Sequence, residues 1–167
     1  MLRALEMAHR EHGRLPWARL FQPAIRLADK GFPMSQRLYT QVAADKFMGG
    51  SPEMTAYFLD GQGKAKPVGT MIKNPQLAQT LREIAKSGPN VFYNGPIARD
   101  IAAKVNGHQN AGSLSEADLK GYKAKVRVPV CTDYRQWKIC GMPPPSSGGI
   151  AIAQILGTLE ALEKRDP

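Results

Sequence analysis

The most suggestive chemistry in this sequence lies in one short run of serines and glycines. Ser146 and Ser147 precede Gly148 and Gly149, directly before a predicted helix. Two hydroxyls and free backbone N–H groups at a helix start could bind an anion or a carboxylate. We favour the structural alternative, in which prolines fix an extended segment, a serine caps the helix and the glycines allow tight packing. The predicted structural loop comprises Pro143, Pro144, Pro145, Ser146, Ser147, Gly148 and Gly149.

The spacing of the histidines and acidic residues indicates no metal site and no catalytic site. His9 and His12 are three residues apart on a predicted helix, but no Cys or acidic residue completes a metal-binding spacing around them. His108 lies in a polar loop, where no serine has the frame of a nucleophile elbow. Gly148 and Gly149 lack the Lys and Thr that follow in a phosphate-binding loop. We therefore expect no metal and no cofactor in this chain.

Composition is that of an ordinary globular chain. Its 167 residues are 43% apolar, which is enough to fill a core. The net charge is +9, but the basic residues are scattered and do not alternate with aromatics, so nucleic-acid binding is not expected. No apolar run reaches the about 18 residues that predict a membrane span. The first residues lack a signal-peptide core, and both ends fall within helical patterns, so we expect an internal fragment.

Start and stop signals predict a mostly helical region over residues 1–122. Four residues precede helical patterns and can cap them: Ser35, Ser51, Asn74 and Ser115. Asp118 follows Ser115 at the spacing of a capping box. Pro23 interrupts an apolar pattern, so we predict a short turn of helix before it and a second helix from Pro23 to Lys30.

The pattern changes to alternation in the last part of the chain, residues 123–167. Val126, Val128 and Val130 occupy alternate positions, and Trp137 and Ile139 follow after a turn, which predicts one β-hairpin over residues 124–141, followed by an apolar helix. We treat 1–167 as a single region with these two parts. The fold class predicted is α+β, a predominantly helical fragment with one hairpin.

The two cysteines, Cys131 and Cys140, fall in the two arms of this hairpin. With a two-residue turn at 135–136, Tyr134 lies opposite Trp137 and Cys131 lies opposite Cys140. Opposed positions that are not hydrogen-bonded bring their Cα atoms to about 4.5 Å, which a disulfide can span. Another turn length would shift the register by one residue and put the cysteines on opposite faces. The alternative is two free cysteines packed as small apolar residues.

Six segments, in order and over nearly the whole chain, resemble the γ-glutamyltranspeptidase family. They are Leu15-Pro16-Trp17 through Ala28, Gly31-Phe32-Pro33, Asn74-Pro75 through Leu81, Phe92-Tyr93 through Ala98, Leu114 through Leu119 with Tyr122, and Met142 through Gly149. Each is weak alone, whereas together they are specific.

The resemblance implies an N-terminal nucleophile hydrolase with a layered αββα fold, in which a precursor cleaves itself into large and small subunits. The new N-terminal Thr of the small subunit attacks the γ-glutamyl amide of glutathione, and water or an amino acid or peptide takes up the acyl group. In the family this Thr belongs to a Thr-Thr-His-like motif, whereas the six threonines of this chain include no adjacent pair. No catalytic and no substrate-binding residue is therefore carried over, and the fragment should be inactive alone.

The resemblance also implies partners and a compartment. The expected partners are the small subunit of the same precursor and, in the intact enzyme, glutathione and γ-glutamyl compounds; the fragment alone could self-associate. The expected location is periplasmic or secreted: bacterial members are exported to the periplasm, whose oxidising conditions would allow a bond between Cys131 and Cys140. Two alternatives stay open: a cephalosporin-acylase-type amidase of the same superfamily, and a free-standing helical interaction module.

Overall fold

A computed structural model describes residues 1–163 of the chain. It divides into a first unit, Met1–Ala124, and a second that begins at Lys125. The boundary predicted from the sequence lies between residues 122 and 123, and the last four residues of the predicted second part, 164–167, lie outside the described residues. Within 1–163, no helix has the length and apolar character needed to cross a membrane.

The first unit is built from short helices and one small strand pair. Its helices are α1 (Leu2–His12), α2 (Trp17–Lys30), α3 (Gln36–Ala44), α4 (Pro52–Phe58), α5 (Pro75–Ser87), α6 (Asn90–Tyr93), α7 (Pro96–Asn106) and α8 (Glu116–Gly121), with a 3-10 turn at Met48–Gly50. Strands β1 (Phe32–Pro33) and β2 (Met71–Ile72) pair in antiparallel fashion.

Packing of α2 against α5 forms the centre of this unit. Short or branched side chains are buried on both helices, which lets the two backbones approach closely. These are Ile25 and Ala28 on α2, and Ala78, Ile84 and Ala85 on α5. The indole Nε1 of Trp17 donates a hydrogen bond to the Ile84 carbonyl at 3.1 Å, which joins the start of α2 to the last turns of α5.

Pro23 lies inside α2 and does not end it, so the predicted break is wrong. Proline has no N–H to offer the carbonyl of Arg19, and the helix loses one hydrogen bond at that point. Ile25 and Ala28 follow in the next turns and are buried. Their burial in the interface with α5 stabilises the continuous helix in spite of that loss.

The predicted helix caps are observed. Ser35, Ser51 and Asn74 each accept a hydrogen bond from the backbone N–H three residues on. Ser115 and Asp118 form the reciprocal capping box. Hydrogen bonds from the hydroxyl and backbone N–H of Ser115 lower the pKa of Asp118, because they stabilise its ionised form.

The pairing of β1 with β2 is a feature that the sequence analysis does not predict. Each strand has two residues, so neither carries a readable alternation. Phe32 lies opposite Ile72, and the Met34 N–H donates to the Thr70 carbonyl at 2.8 Å. Met34 and Ile72 are each only 1% exposed. The pairing of β1 with β2 therefore holds two apolar side chains in the core.

Arg3 anchors the start of the chain to the end of α8. Its guanidinium lies 4.3 Å from the ring centroid of the buried Tyr93, at the distance of a cation–π contact. It also donates to the Lys120 carbonyl at 3.0 Å and to the Tyr122 carbonyl. Since the rings of Tyr93 and Tyr122 stack at 5.6 Å, these groups hold α1, α6 and α8 together.

The second unit consists of a hairpin and one helix. Strands β3 (Val130–Tyr134) and β4 (Trp137–Gly141) pair in antiparallel fashion, and α9 (Gly148–Glu163) packs on them. Tyr134 lies opposite Trp137, as predicted from a two-residue turn. Arg135, the first turn residue, has φ of 52°, the left-handed conformation that such turns require.

The hairpin begins later than predicted, at residue 130 instead of 124. Val126 and Val128 are 81% and 85% exposed, and they lie outside the named strands. Their alternation is suitable for a strand, but a strand needs a neighbour for its backbone hydrogen bonds. The predicted fold class, a mostly helical α+β fragment with this hairpin, is confirmed.

We expect the cap of α5 to contribute measurably to stability. Asn74 Oδ1 accepts from the Leu77 N–H at 2.8 Å, and the Asn74 N–H donates to the Ala28 carbonyl at the end of α2. Asn74→Ala should lower the free energy of unfolding by about 1 kcal/mol, measured by chemical denaturation. Asn74→Asp keeps a side-chain acceptor and should retain most of that stability. Equal losses in the two variants would contradict this role.

Candidate functional site

The predicted structural loop connects β4 to α9. The Ser146 N–H donates to the Pro143 carbonyl at 3.1 Å, which closes a turn that contains a cis peptide bond between Pro144 and Pro145. The Ser147 carbonyl accepts from the Ala151 N–H at 2.9 Å and so begins the hydrogen bonding of α9. The loop thus turns the chain from the hairpin into the helix within a few residues.

Two glycines bring the hairpin and α9 into direct backbone contact. A Cβ on Gly149 would lie 2.5 Å from the Met142 carbonyl oxygen and 3.3 Å from the Cα of Gly141. A Cβ on Gly141 would lie 2.7 Å from the Cα of Gly149. Neither position can hold a side chain without movement of the backbone. This close approach supports the structural interpretation of the loop.

A disulfide joins Cys131 to Cys140, whose Cα atoms are 4.1 Å apart. These residues are directly paired in the hairpin register. Both cysteines are exposed, whereas Thr132 and Ile139 between them are partly buried and lie beside α9. The disulfide therefore lies on the face of the hairpin that α9 does not cover.

α9 is apolar around most of its circumference. On the side of α9 that packs against the hairpin, Gly149 is buried. Ile155, Leu159 and Leu162 are 58%, 44% and 54% exposed, and their spacing of four and three residues places them in one stripe. Soluble proteins seldom leave such stripes uncovered, and a helix that is apolar on all sides is typical of the interior of a larger protein.

One ion pair connects the hairpin turn with the end of α9. The Arg135 guanidinium donates to Glu163, and this hydrogen bond raises the pKa of Arg135. Both side chains are about half exposed, so the pair orients the two elements and adds little stability.

A cleft of about 550 Å³ lies between α4 and the start of α5. No pattern in the sequence predicts it, because it joins residues that are distant in sequence. Its acidic residue, Glu53, has a pKa lowered to about 2, first by a hydrogen bond from Lys104 and then by one from Ser51. Such a carboxylate is a weak base near neutral pH. The side chains of Tyr57 and Lys73 also line the cleft, and nothing there forms a nucleophile with its base in the described part of the chain.

The contacts of His9 and His12 are those of structural and surface residues. Nε2 of His9 lies 2.7 Å from the Leu15 carbonyl oxygen, and its ring meets Trp17 edge-on at 5.4 Å. His12 lies 3.7 Å from Glu11 on the surface. Across residues 1–163, no three His, Cys, Asp or Glu side chains come together in a group that could hold a metal ion.

Comparison with known proteins gives a consistent result along the chain. The family model described as Gamma-glutamyltranspeptidase matches residues 1–166. A glutathione hydrolase proenzyme of Pseudomonas aeruginosa is 39% identical over 92% of this chain and 26% of its own length. The Acylase ACY 1 proenzyme of Pseudomonas sp. strain V22 is 36% identical over 90% of this chain and 27% of its own length.

A solved structure shares the fold. The crystal structure of Helicobacter pylori gamma-glutamyltranspeptidase superposes with a TM-score of 0.87 and 31% identity, over 96% of this chain and 46% of that one. This chain spans only about a quarter of the length of the curated relatives that it matches.

Two glycines of α9, Gly149 and Gly157, should respond oppositely to substitution by alanine. Gly149→Ala forces a Cβ against the Met142 carbonyl and should lower the free energy of unfolding by about 1–3 kcal/mol. Gly157→Ala is the matched control in the same helix, since its Cβ would meet nothing within 4 Å. It should raise stability by about 0.5–1 kcal/mol. Thermal unfolding and hydrogen exchange of α9 measure both; equal behaviour of the variants would rule out the close approach of the two backbones.

Proposed function

We propose that this chain, which belongs to the γ-glutamyltranspeptidase family, forms part of the large subunit of a glutathione hydrolase and γ-glutamyltransferase. The intact enzyme would cleave the γ-glutamyl amide of glutathione and pass the acyl group to water, amino acids or peptides. The family match over residues 1–166 carries this proposal. The named relatives that are glutathione hydrolases support it.

In this proposal the nucleophile is the N-terminal Thr of a small subunit that this chain does not contain. Its own α-amine would take the hydroxyl proton, and the hydroxyl oxygen would form the acyl-enzyme. The surroundings of three of this chain's six threonines support that assignment. Thr40, Thr80 and Thr158 each donate their hydroxyl to a carbonyl of their own helix, four residues back. Each of these hydroxyls thus donates its proton to a backbone carbonyl and not to a basic side chain.

The proposed role of this chain is to form the surface on which the small subunit docks. The stripe of Ile155, Leu159 and Leu162, together with Val126 and Val128, is the apolar surface that the small subunit would cover. The valines would then gain a neighbouring strand. Relatives named as proenzymes, of which this chain spans only a quarter, supply the length of chain from which such a partner could come.

An exported, oxidising location is part of the same proposal. The disulfide between Cys131 and Cys140 is compatible with the periplasm and would be unusual in a reducing cytoplasm. The second candidate function is an acylase of the same superfamily, which the 36% identity to an acylase proenzyme favours. Assay of the processed enzyme against glutathione and against an acyl-cephalosporin amide separates the two candidates.

The isolated chain should show no γ-glutamyl chemistry. We expect no release of the chromophore from a γ-glutamyl anilide, and no change of mass after treatment with a covalent γ-glutamyl inhibitor. The full-length precursor, after self-cleavage, is the positive control and should be active and labelled on its small subunit. A glutamyl adduct on any residue of the isolated chain would overturn this assignment of the nucleophile.

A charge in the apolar stripe of α9 should prevent assembly. Ile155→Asp, introduced into the full-length precursor, should lower the recovered amount of processed two-subunit enzyme, because docking would bury the carboxylate. Gln154→Asp is the matched control, since the neighbouring position is polar and points about 100° away on the helix. Gel filtration and activity of the purified enzyme measure the outcome. Full assembly of the Ile155→Asp enzyme would exclude this face as the docking surface.

A further inference from the structure

The uncovered face of the hairpin combines a disulfide with two charged side chains. Alternation along the strands places Asp133 beside Cys131 and Lys138 beside Cys140 on this face. All four residues are exposed. Asp133 and Lys138 lie directly opposite each other, next to the disulfide pair along the ladder.

This face is poorly suited to burial in an assembled protein. Moving a charged Asp and a charged Lys out of water costs several kcal/mol per ion, unless their mutual attraction and hydrogen bonds compensate for that cost. The apolar surfaces described above, on α9 and on Val126 and Val128, are better suited to a partner. The polar face of the hairpin is therefore the one expected to stay in water, and its disulfide stays accessible to small solutes.

The disulfide also lies next in sequence to the backbone contact at the start of α9. Cys140 is followed by Gly141, whose backbone lies so near to that of Gly149 that neither residue could carry a side chain. A hairpin of two five-residue strands has marginal stability alone, so a covalent bond between its arms matters for its register. Loss of the bond would loosen β4, and with it the surface against which Gly149 packs.

We propose that the Cys131–Cys140 disulfide is a thiol-exchange site for low-molecular-weight thiols, and that its redox state controls how firmly the loop at 143–149 is held. An incoming thiolate attacks one of the two sulfurs. A new S–S bond forms between the thiol and that cysteine, while the Cys131–Cys140 bond breaks and the other cysteine leaves as a thiolate that takes a proton from water. A second thiol then attacks the mixed disulfide, which yields two protein thiols and the oxidised dimer of the small thiol.

The first experiment measures exchange on the native chain with reduced glutathione as the probe. Acid quenching, alkylation and mass spectrometry should show no alkylatable thiol before treatment, then a transient glutathionyl adduct and finally two thiols. S-methylglutathione, which has no thiol, is the matched control and should leave the protein unchanged. A native protein that keeps its disulfide until it is denatured, or that has two thiols in an air-oxidised sample, would overturn the proposal.

The second experiment measures the consequence for the loop by hydrogen exchange. Reduction should accelerate exchange several-fold in residues 137–152, while α5 in the first unit stays unchanged as an internal reference. The double variant Cys131→Ser/Cys140→Ser should exchange like the reduced protein and should not respond to glutathione. Identical exchange in the oxidised and reduced proteins would show that the bond does not control the loop. Neither experiment depends on γ-glutamyl transfer, so its outcome is separate from that of the proposed function.

Discussion

Close packing at positions without bulky side chains is the constraint on which both units depend. In the second unit, Gly141 and Gly149 bring β4 and α9 so close that a single methyl group would not fit. In the first, α2 and α5 meet through Ala28, Ala78 and Ala85. Backbones that approach in this way lose freedom to tilt or slide, because interiors packed to this density have no room for adjustment.

Local features could be predicted from the sequence, whereas features that depend on distant parts of the chain could not. Ser35, Asn74 and Ser115 act within three residues of themselves, so their caps were readable, and the turn length alone fixed the opposition of Tyr134 and Trp137. The continuity of α2 through Pro23 depends on burial against a helix about fifty residues away. Phe32 and Ile72, about forty residues apart, pair in strands too short to show a period.

The same distinction between local and long-range features applies to the candidate site. The serine and glycine run was recognisable as a loop before a helix, but the close approach that explains Gly149 requires the position of Gly141 and Met142 in space. The cleft beside α4 brings Glu53 near Lys73, and no spacing in the sequence predicts it. The ion pair of Glu53 with Lys104 is likewise a contact between residues that are distant in sequence. The lack of an adjacent pair of threonines is a property of the sequence itself and needs no structure to be read.

The apolar circumference of α9 has a consequence for the order of synthesis. If its cover were made as a separate polypeptide, the two would meet at the low concentration of each in the cell, while α9 could associate with any other exposed apolar surface. A cover that belongs to the same polypeptide is present at an effective concentration of about millimolar from the moment it is translated. If the proposed small subunit is that cover, synthesis as one precursor with cleavage only after docking would protect α9 from association with other apolar surfaces.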